Sequence, residues 1–321
     1  MPNRSLHIFP LISWINALLG LSLLILQWTN GKIPEGLQMG YFLLLIGGTG
    51  IPHGALDHII AKNNSDNSQT FKIQQFLGKY MLAIITYSVC WIFFPSISLM
   101  IFLLISAWHF GETDLSDIEG KNFWNNTGRI TWGIFILMLI LLTHEKETLS
   151  VIERITKKQT SALMVWQFFA NNSWLGLIIT GLYSSIFLFL GFFKKQKTLS
   201  IARSFNLILI LILCSQLPLL PAFALYFGGW HAIRSFELTF KFLHHHKEET
   251  AADPMTMWKN ALPMTFLAAF GFIFMAYIWT GLGIKTDPIP ALFIFLSIIT
   301  LPHLDVMDKL IRSEKPTKII G

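Results

Sequence analysis

Four histidines stand inside apolar stretches long enough to cross a bilayer: His53 in Pro52-His53-Gly54, His109 in Trp108-His109-Phe110-Gly111-Glu112, His231 in Gly229-Trp230-His231 and His303 in Leu301-Pro302-His303. An imidazole in hydrocarbon loses the water that solvates its nitrogens, so several of them inside spans point to a functional centre. Neutral imidazole is also the commonest protein ligand for iron, zinc and copper. The expected chemistry is that of a metal ion held within a helical membrane bundle, where side chains from facing helices converge.

The polar neighbours refine this reading. Asp57 follows His53 by four residues and shares its helical face, which suits a carboxylate that orients a ligand imidazole. His58 lies five residues on and points elsewhere unless the helix breaks. Gly47, Gly48, Gly50 and Pro52 favour a break, so His58 stands either as a ligand or as a residue at a wet helix end. Glu112, three residues after His109, either bonds an imidazole or ends its helix at the interface. Arg234 is costly at its depth and either snorkels to headgroups or pairs with Glu237. His303 is read as a ligand or as a residue that orients one. The remaining histidines look ordinary: His7 starts a span, His144 lies in a loop, and His244, His245 and His246 form a solvated loop run beside Lys247.

The elements that must position these residues follow from composition. Of 321 residues, 53% are hydrophobic and 13% charged, with a mean hydropathy of +0.55. Soluble domains carry roughly 25% charged residues, so the chain reads as an integral membrane protein. It is expected to be all-α, a polytopic transmembrane bundle forming a single domain over 1–321. About ten spans fall near 6–27, 37–60, 76–94, 96–113, 129–143, 174–193, 201–217, 219–242, 261–283 and 289–310. The first reads as a span rather than a cleavable signal. Residues 145–172 form either a connecting loop or an interfacial amphipathic helix carrying Ile152, Ile155, Met164, Val165 and Phe168. Cys90 and Cys214 lie in apolar runs and read as core thiols. The net charge of +6 does not require nucleic acid, because cytoplasmic loops retain Lys and Arg.

Most of the 24 Lys and Arg residues fall on the connections that share a side with both termini, which places the termini in the cytoplasm. Spans two, four, eight and ten then run in the same direction. Their four histidines all lie toward the cytoplasmic end, at a depth where one ion can bind them all.

These motifs carry a resemblance. Pro52-His53-Gly54-Ala55-Leu56-Asp57-His58, Trp108-His109-Phe110-Gly111-Glu112, Trp230-His231-Ala232-Ile233-Arg234 and Pro302-His303 are similar in order and spacing to the Brp/Blh family of membrane β-carotene cleavage dioxygenases. The resemblance implies a multi-span helical enzyme of the cell (inner or plasma) membrane that uses non-haem Fe(2+) and O2 to split β-carotene at its central double bond into two molecules of retinal. It implies His53, His109 and His231 as iron ligands, and its product suggests a functional link to a retinal-binding rhodopsin. Many members have a second histidine four residues after the position of His231, where this chain has Ser235. The fourth place is left open between His303, His58 and a shell of three histidines. Other readings are a hydroxylase- or desaturase-like membrane metalloenzyme, or a metal or haem transporter or carrier. Of the dense paired-histidine boxes of the first, only the loop run at His244–His246 comes near, and no H-E-x-x-H of a zinc protease is present.

Overall fold

The computed structural model describes residues 6–64, 71–118, 122–193, 201–246, 251–281 and 288–313, and among them there is no strand. The chain runs through α1 (Ile8–Asn30), α2 (Glu35–Leu45), a π turn (Ile46–Gly50), a 3-10 turn (Pro52–Gly54), α3 (Asp57–Asn63), α4 (Ile73–Phe93), α5 (Pro95–Asp114) and α6 (Phe123–Thr143). It continues through α7 (Glu145–Ile155), α8 (Thr160–Asn171), α9 (Ser173–Phe193), α10 (Ile201–Gln216) and α11 (Leu219–Tyr226). A second π turn (Phe227–His231), α12 (Ala232–His245), α13 (Pro254–Gly281) and α14 (Pro288–Ser313) complete it. Among the described residues, 8 helical segments are long and apolar enough to cross a membrane. The expected spans at 201–217 and 219–242 form the shorter apolar helix α10 and the interrupted rod α11–α12.

The polar and apolar residues are distributed as a bilayer demands. Leucines, isoleucines and phenylalanines such as Leu182, Phe189, Phe270 and Ile273 are exposed around the outside, while Asp57, Glu112, Asp114, Arg129 and Arg234 are buried. Lipid is as apolar as these outer side chains, so helix association rests on close backbone approach and on interior polar contacts. The α5–α6 pair displays the first. A Cβ on Gly111 would sit 1.7 Å from the carbonyl oxygen of Arg129, and one on Gly133 1.7 Å from that of Ala107. The obstacle is backbone, which cannot rotate aside. Gly111→Ala and Gly133→Ala are each expected to cost about 1–3 kcal/mol by overpacking. Thermal unfolding of the detergent-solubilised protein should show a lowered midpoint, whereas Gly78→Ala, on an open face of α4, should leave it unchanged.

Interior charges pair rather than snorkel. Arg234 donates to Asp117 at 2.7 Å, to Glu237 at 3.0 Å and to Ser116 at 3.1 Å, and Arg203 donates to Glu237 at 3.0 Å. This ties α12 to the residues after α5 and to α10. Burial of Arg234 is sustained by two carboxylates, so the snorkelling alternative gives way to pairing.

Three further expectations change. The fifth span begins at Phe123 rather than at residue 129, because the Asn122 side chain accepts from the Asn125 N–H and caps the helix early. Residues 145–172 form two helices, α7 and α8, reversed at Lys157 and Lys158, whose φ angles are 54° and 59°. Ile152 and Ile155 on α7 point inward, whereas Met164 and Phe168 on α8 are exposed. His244 and His245 extend α12 by a last turn instead of lying in a loop; Lys247 lies outside the described residues, as does Gly283, the expected end of the ninth span.

Candidate metal centre

Two glycine pairs shape the backbone that carries the histidines. Gly47-Gly48 and Gly228-Gly229 each fall inside a π turn, and the two turns pack on each other. A Cβ on Gly228 would lie 2.6 Å from the carbonyl oxygen of Leu45, and one on Gly50 would lie 3.1 Å from the Phe227 ring. Thr49 fastens the pair, with its hydroxyl 2.7 Å from the Leu45 carbonyl and 2.8 Å from that of Gly228. Pro52 has no N–H to return to the carbonyl of Gly48, which accepts instead from Trp258 Nε1 at 2.7 Å. Local widening of this kind is frequent at functional sites. Here it delivers His53 on the 3-10 turn and His231 at the end of the second π turn.

His109 comes from α5 and His303 from α14, one residue after Pro302. All four rings are buried. His53, His109 and His231 each present a ring nitrogen, and these nitrogens lie within 4.8 Å of one another. The His303 ring centroid is 4.8 Å from that of His53 and 5.1 Å from that of His109. Gly54 permits this approach: a Cβ there would lie 3.2 Å from His303 Nδ1.

For His53, His231 and His303 the second ring nitrogen faces an oxygen. His303 Nδ1 donates to Asp57 at 2.8 Å, and Asp57 also accepts from the Tyr80 hydroxyl at 3.0 Å. His53 Nδ1 donates to the Gly50 carbonyl. His231 Nδ1 faces Asp114 Oδ1 at 3.6 Å, and the other oxygen of Asp114 accepts from Tyr226 at 2.6 Å and Trp132 at 3.1 Å. Among the described residues, the Nε2 atoms of His53, His231 and His303 and both nitrogens of His109 are buried without a hydrogen-bond partner. Orphaned buried nitrogens are costly. The nitrogens of His53, His109 and His231 that lie within 4.8 Å of one another have the donor character that a divalent ion of borderline softness requires. Asp57 and Asp114 add the carboxylate–imidazole support typical of such centres.

The remaining candidates fall outside this cluster. His58 is half-buried on α3 and lines a neighbouring cavity with Asp57. Ser235 is buried on α12 with its hydroxyl 3.8 Å from Met307 Sδ. Glu112 is buried one turn from His109 and interacts electrostatically with Arg129, whose guanidinium donates to the Ile118 carbonyl at 2.7 Å. His144 lies in the turn between α6 and α7, as expected of a connecting residue, yet it is buried, with its ring between the carbonyls of Ile140 and Leu217. Asp114, Tyr80, Tyr226 and Trp132 escape the sequence reading. Asp114 is five residues from His109, off its helical face, and its partners lie on other helices.

Two cavities meet at the cluster and share His53, Phe227, Leu296, Thr300 and His303 as a common wall. Apart from the histidines and a few hydroxyls, the first is apolar throughout. A buried ion would thus face an apolar cavity on one side and, on the other, a cavity that Asp57, His58 and Tyr80 also line.

The family model for beta-carotene 15,15'-dioxygenase matches residues 44–311. A protein of the uncultured marine bacterium 66A03 named beta-carotene 15,15'-dioxygenase is 26% identical over 274 residues, covering 84% of this chain and 93% of that protein. No solved structure matches.

Proposed function

The chain belongs to the beta-carotene 15,15'-dioxygenase family, and from that membership and the histidine cluster we propose that it cleaves β-carotene at the central double bond with O2, giving two molecules of retinal at an Fe(2+) centre. The observation that carries the metal reading is the set of three buried imidazoles, His53, His109 and His231, whose ring nitrogens lie within 4.8 Å of one another, with the His303 ring beside them and two cavities meeting at the cluster.

Bound ferrous iron would supply the oxygen chemistry, in which one carbon–carbon double bond and one O2 become two carbonyl groups. The protein's share is positional. His53 Nε2, His109, His231 and His303 Nε2 would hold the ion. Asp57 fixes the His303 ring with its proton on Nδ1, and Asp114 favours the same tautomer of His231. Phe227 and Leu296 keep water from the common wall. No group is needed to shuttle a proton, because no proton is gained or lost in the overall conversion. A substrate dissolved in the bilayer suits a site inside a bundle of the cell membrane, with both termini in the cytoplasm. The aldehyde product is of the class a retinal-binding rhodopsin consumes.

Expression in β-carotene-producing cells should bleach the pigment and yield retinal, and the purified protein should contain iron and no Soret band. Unbleached cells without retinal, despite folded and iron-loaded protein, would refute the reading. A Soret band would favour a haem carrier.

A further inference from the structure

The two cavities that meet at the histidines differ in how they end. The first runs between α5 and α14 to α7, where Thr148, Val151, Ile152 and Ile155 line it; Leu99, Leu103, Leu137, Leu141 and Ile152 also line a further cavity toward α8. This α7 wall is pinned. The Thr148 hydroxyl donates to the Leu141 carbonyl at 2.9 Å, Glu147 accepts from the Leu219 N–H at 2.9 Å, and the buried His144 ring reaches the Leu217 carbonyl. The second cavity lies in front of α14, between α4 and α13. Those two helices scarcely touch each other, and Leu77, Met81 and Leu267 on its rim are exposed. One arm is therefore capped by a fixed helix, and the other opens sideways toward lipid.

The length of the capped arm is set by its walls. Leu99 and His109 lie ten residues apart on α5, and Phe293 and His303 ten apart on α14. At the rise of an α-helix this is roughly 15 Å on both walls. It is comparable to the length of one retinal, half of the proposed substrate.

We infer that α7 acts as the stop of a molecular ruler: one half of the carotenoid enters by the open arm, passes the histidines and advances until its ring meets Val151 and its neighbours, which brings the central double bond to the metal centre. This rests on the function proposed above and adds to it the residues that choose the bond. A shorter capped arm would hold less of the polyene. The bond at the centre would then lie nearer the leading ring, so one aldehyde would be shorter than retinal and the other longer. Each event would still consume one double bond and one O2 and form two carbonyls.

Val151 is half-buried at the closed end, so its side chain can be enlarged in steps. The test compares the wild type with Val151→Leu, Val151→Phe and Val151→Trp in β-carotene-producing cells, with aldehydes separated by chromatography and iron measured on each purified protein. Retinal is expected to fall from the sole aldehyde to the minor one across the series, while unequal-length aldehydes rise. Ala268→Trp, in the open arm, should lower the amount of product several-fold and leave it all retinal. Retinal as the only aldehyde in every active Val151 variant would overturn the inference. So would complete loss of cleavage across the series with iron retained, because a stop advanced by one methylene must still permit cleavage. Failure of the proposed function is a separate result: a wild type that makes no aldehyde at all.

Discussion

Replacing His53, His109 or His231 with alanine will strip the metal from the purified protein and abolish aldehyde formation. The three rings come from three separate segments, and their nitrogens lie within 4.8 Å of one another. No other acceptor or donor engages those turned toward the centre. Deleting one leaves two members of the trio that converge within that distance. Loss of a carboxylate that merely orients a ligand typically costs 10–100-fold in metal affinity, so loss of the ligand itself should exceed about 100-fold. Asp114→Asn supplies the graded contrast. It keeps the shape and the Trp132 contact but removes the charge facing His231, and should weaken metal binding by roughly 10–100-fold without abolishing it. Metal content after dialysis against a graded chelator series measures both. Wild-type metal retention in any of the three alanine variants, with size-exclusion profiles unchanged, would remove that histidine from the centre.

How much of the fold and of the centre is legible in the sequence depends on the range of each interaction. The four histidine-bearing spans are readable because an apolar run interrupted by a costly polar group is a local signal, and their common depth follows from counting charges in the loops. Asp57 is readable for the same reason, lying four residues from His53, although its partner proves to be His303, 246 residues away. Asp114 is not readable. It bonds Tyr226 across 112 residues, and its spacing from His109 places it off that ring's face. The π turns leave a trace as Gly-Gly pairs, but a glycine pair signals looseness without specifying which way the backbone widens. Their form is decided by tertiary contacts, Thr49 to Gly228 and Trp258 to Gly48. The two helices at 145–172 resist a single reading because α7 is amphipathic with a buried face, whereas α8 is apolar and largely exposed, so one helical pattern does not fit both.

The fourth imidazole gives the sharpest remaining test, because the family resemblance implies a further histidine at the position of Ser235. His303 and His58 both lie close to Asp57 in the fold, yet their surroundings differ. His303 is buried, spends Nδ1 on Asp57 at 2.8 Å and keeps Nε2 free beside the rings of His53 and His109. That is the disposition of a ligand held in one tautomer by a carboxylate. His58 is half-buried, with no ring of the cluster against it among the described contacts. His303→Ala is therefore expected to lower metal affinity by more than about 10-fold and to cut retinal in proportion, and His58→Ala to leave metal content near wild type. Asp57→Asn should fall between them: an asparagine can still accept the His303 proton, but without the negative charge that makes the imidazole more basic. Tyr80→Phe, which removes only the second hydrogen bond to Asp57 at 3.0 Å, should have the smallest effect of the set. If His58→Ala lost the metal while His303→Ala kept it, the fourth position would belong to α3, and the Asp57–His303 pair would serve packing alone.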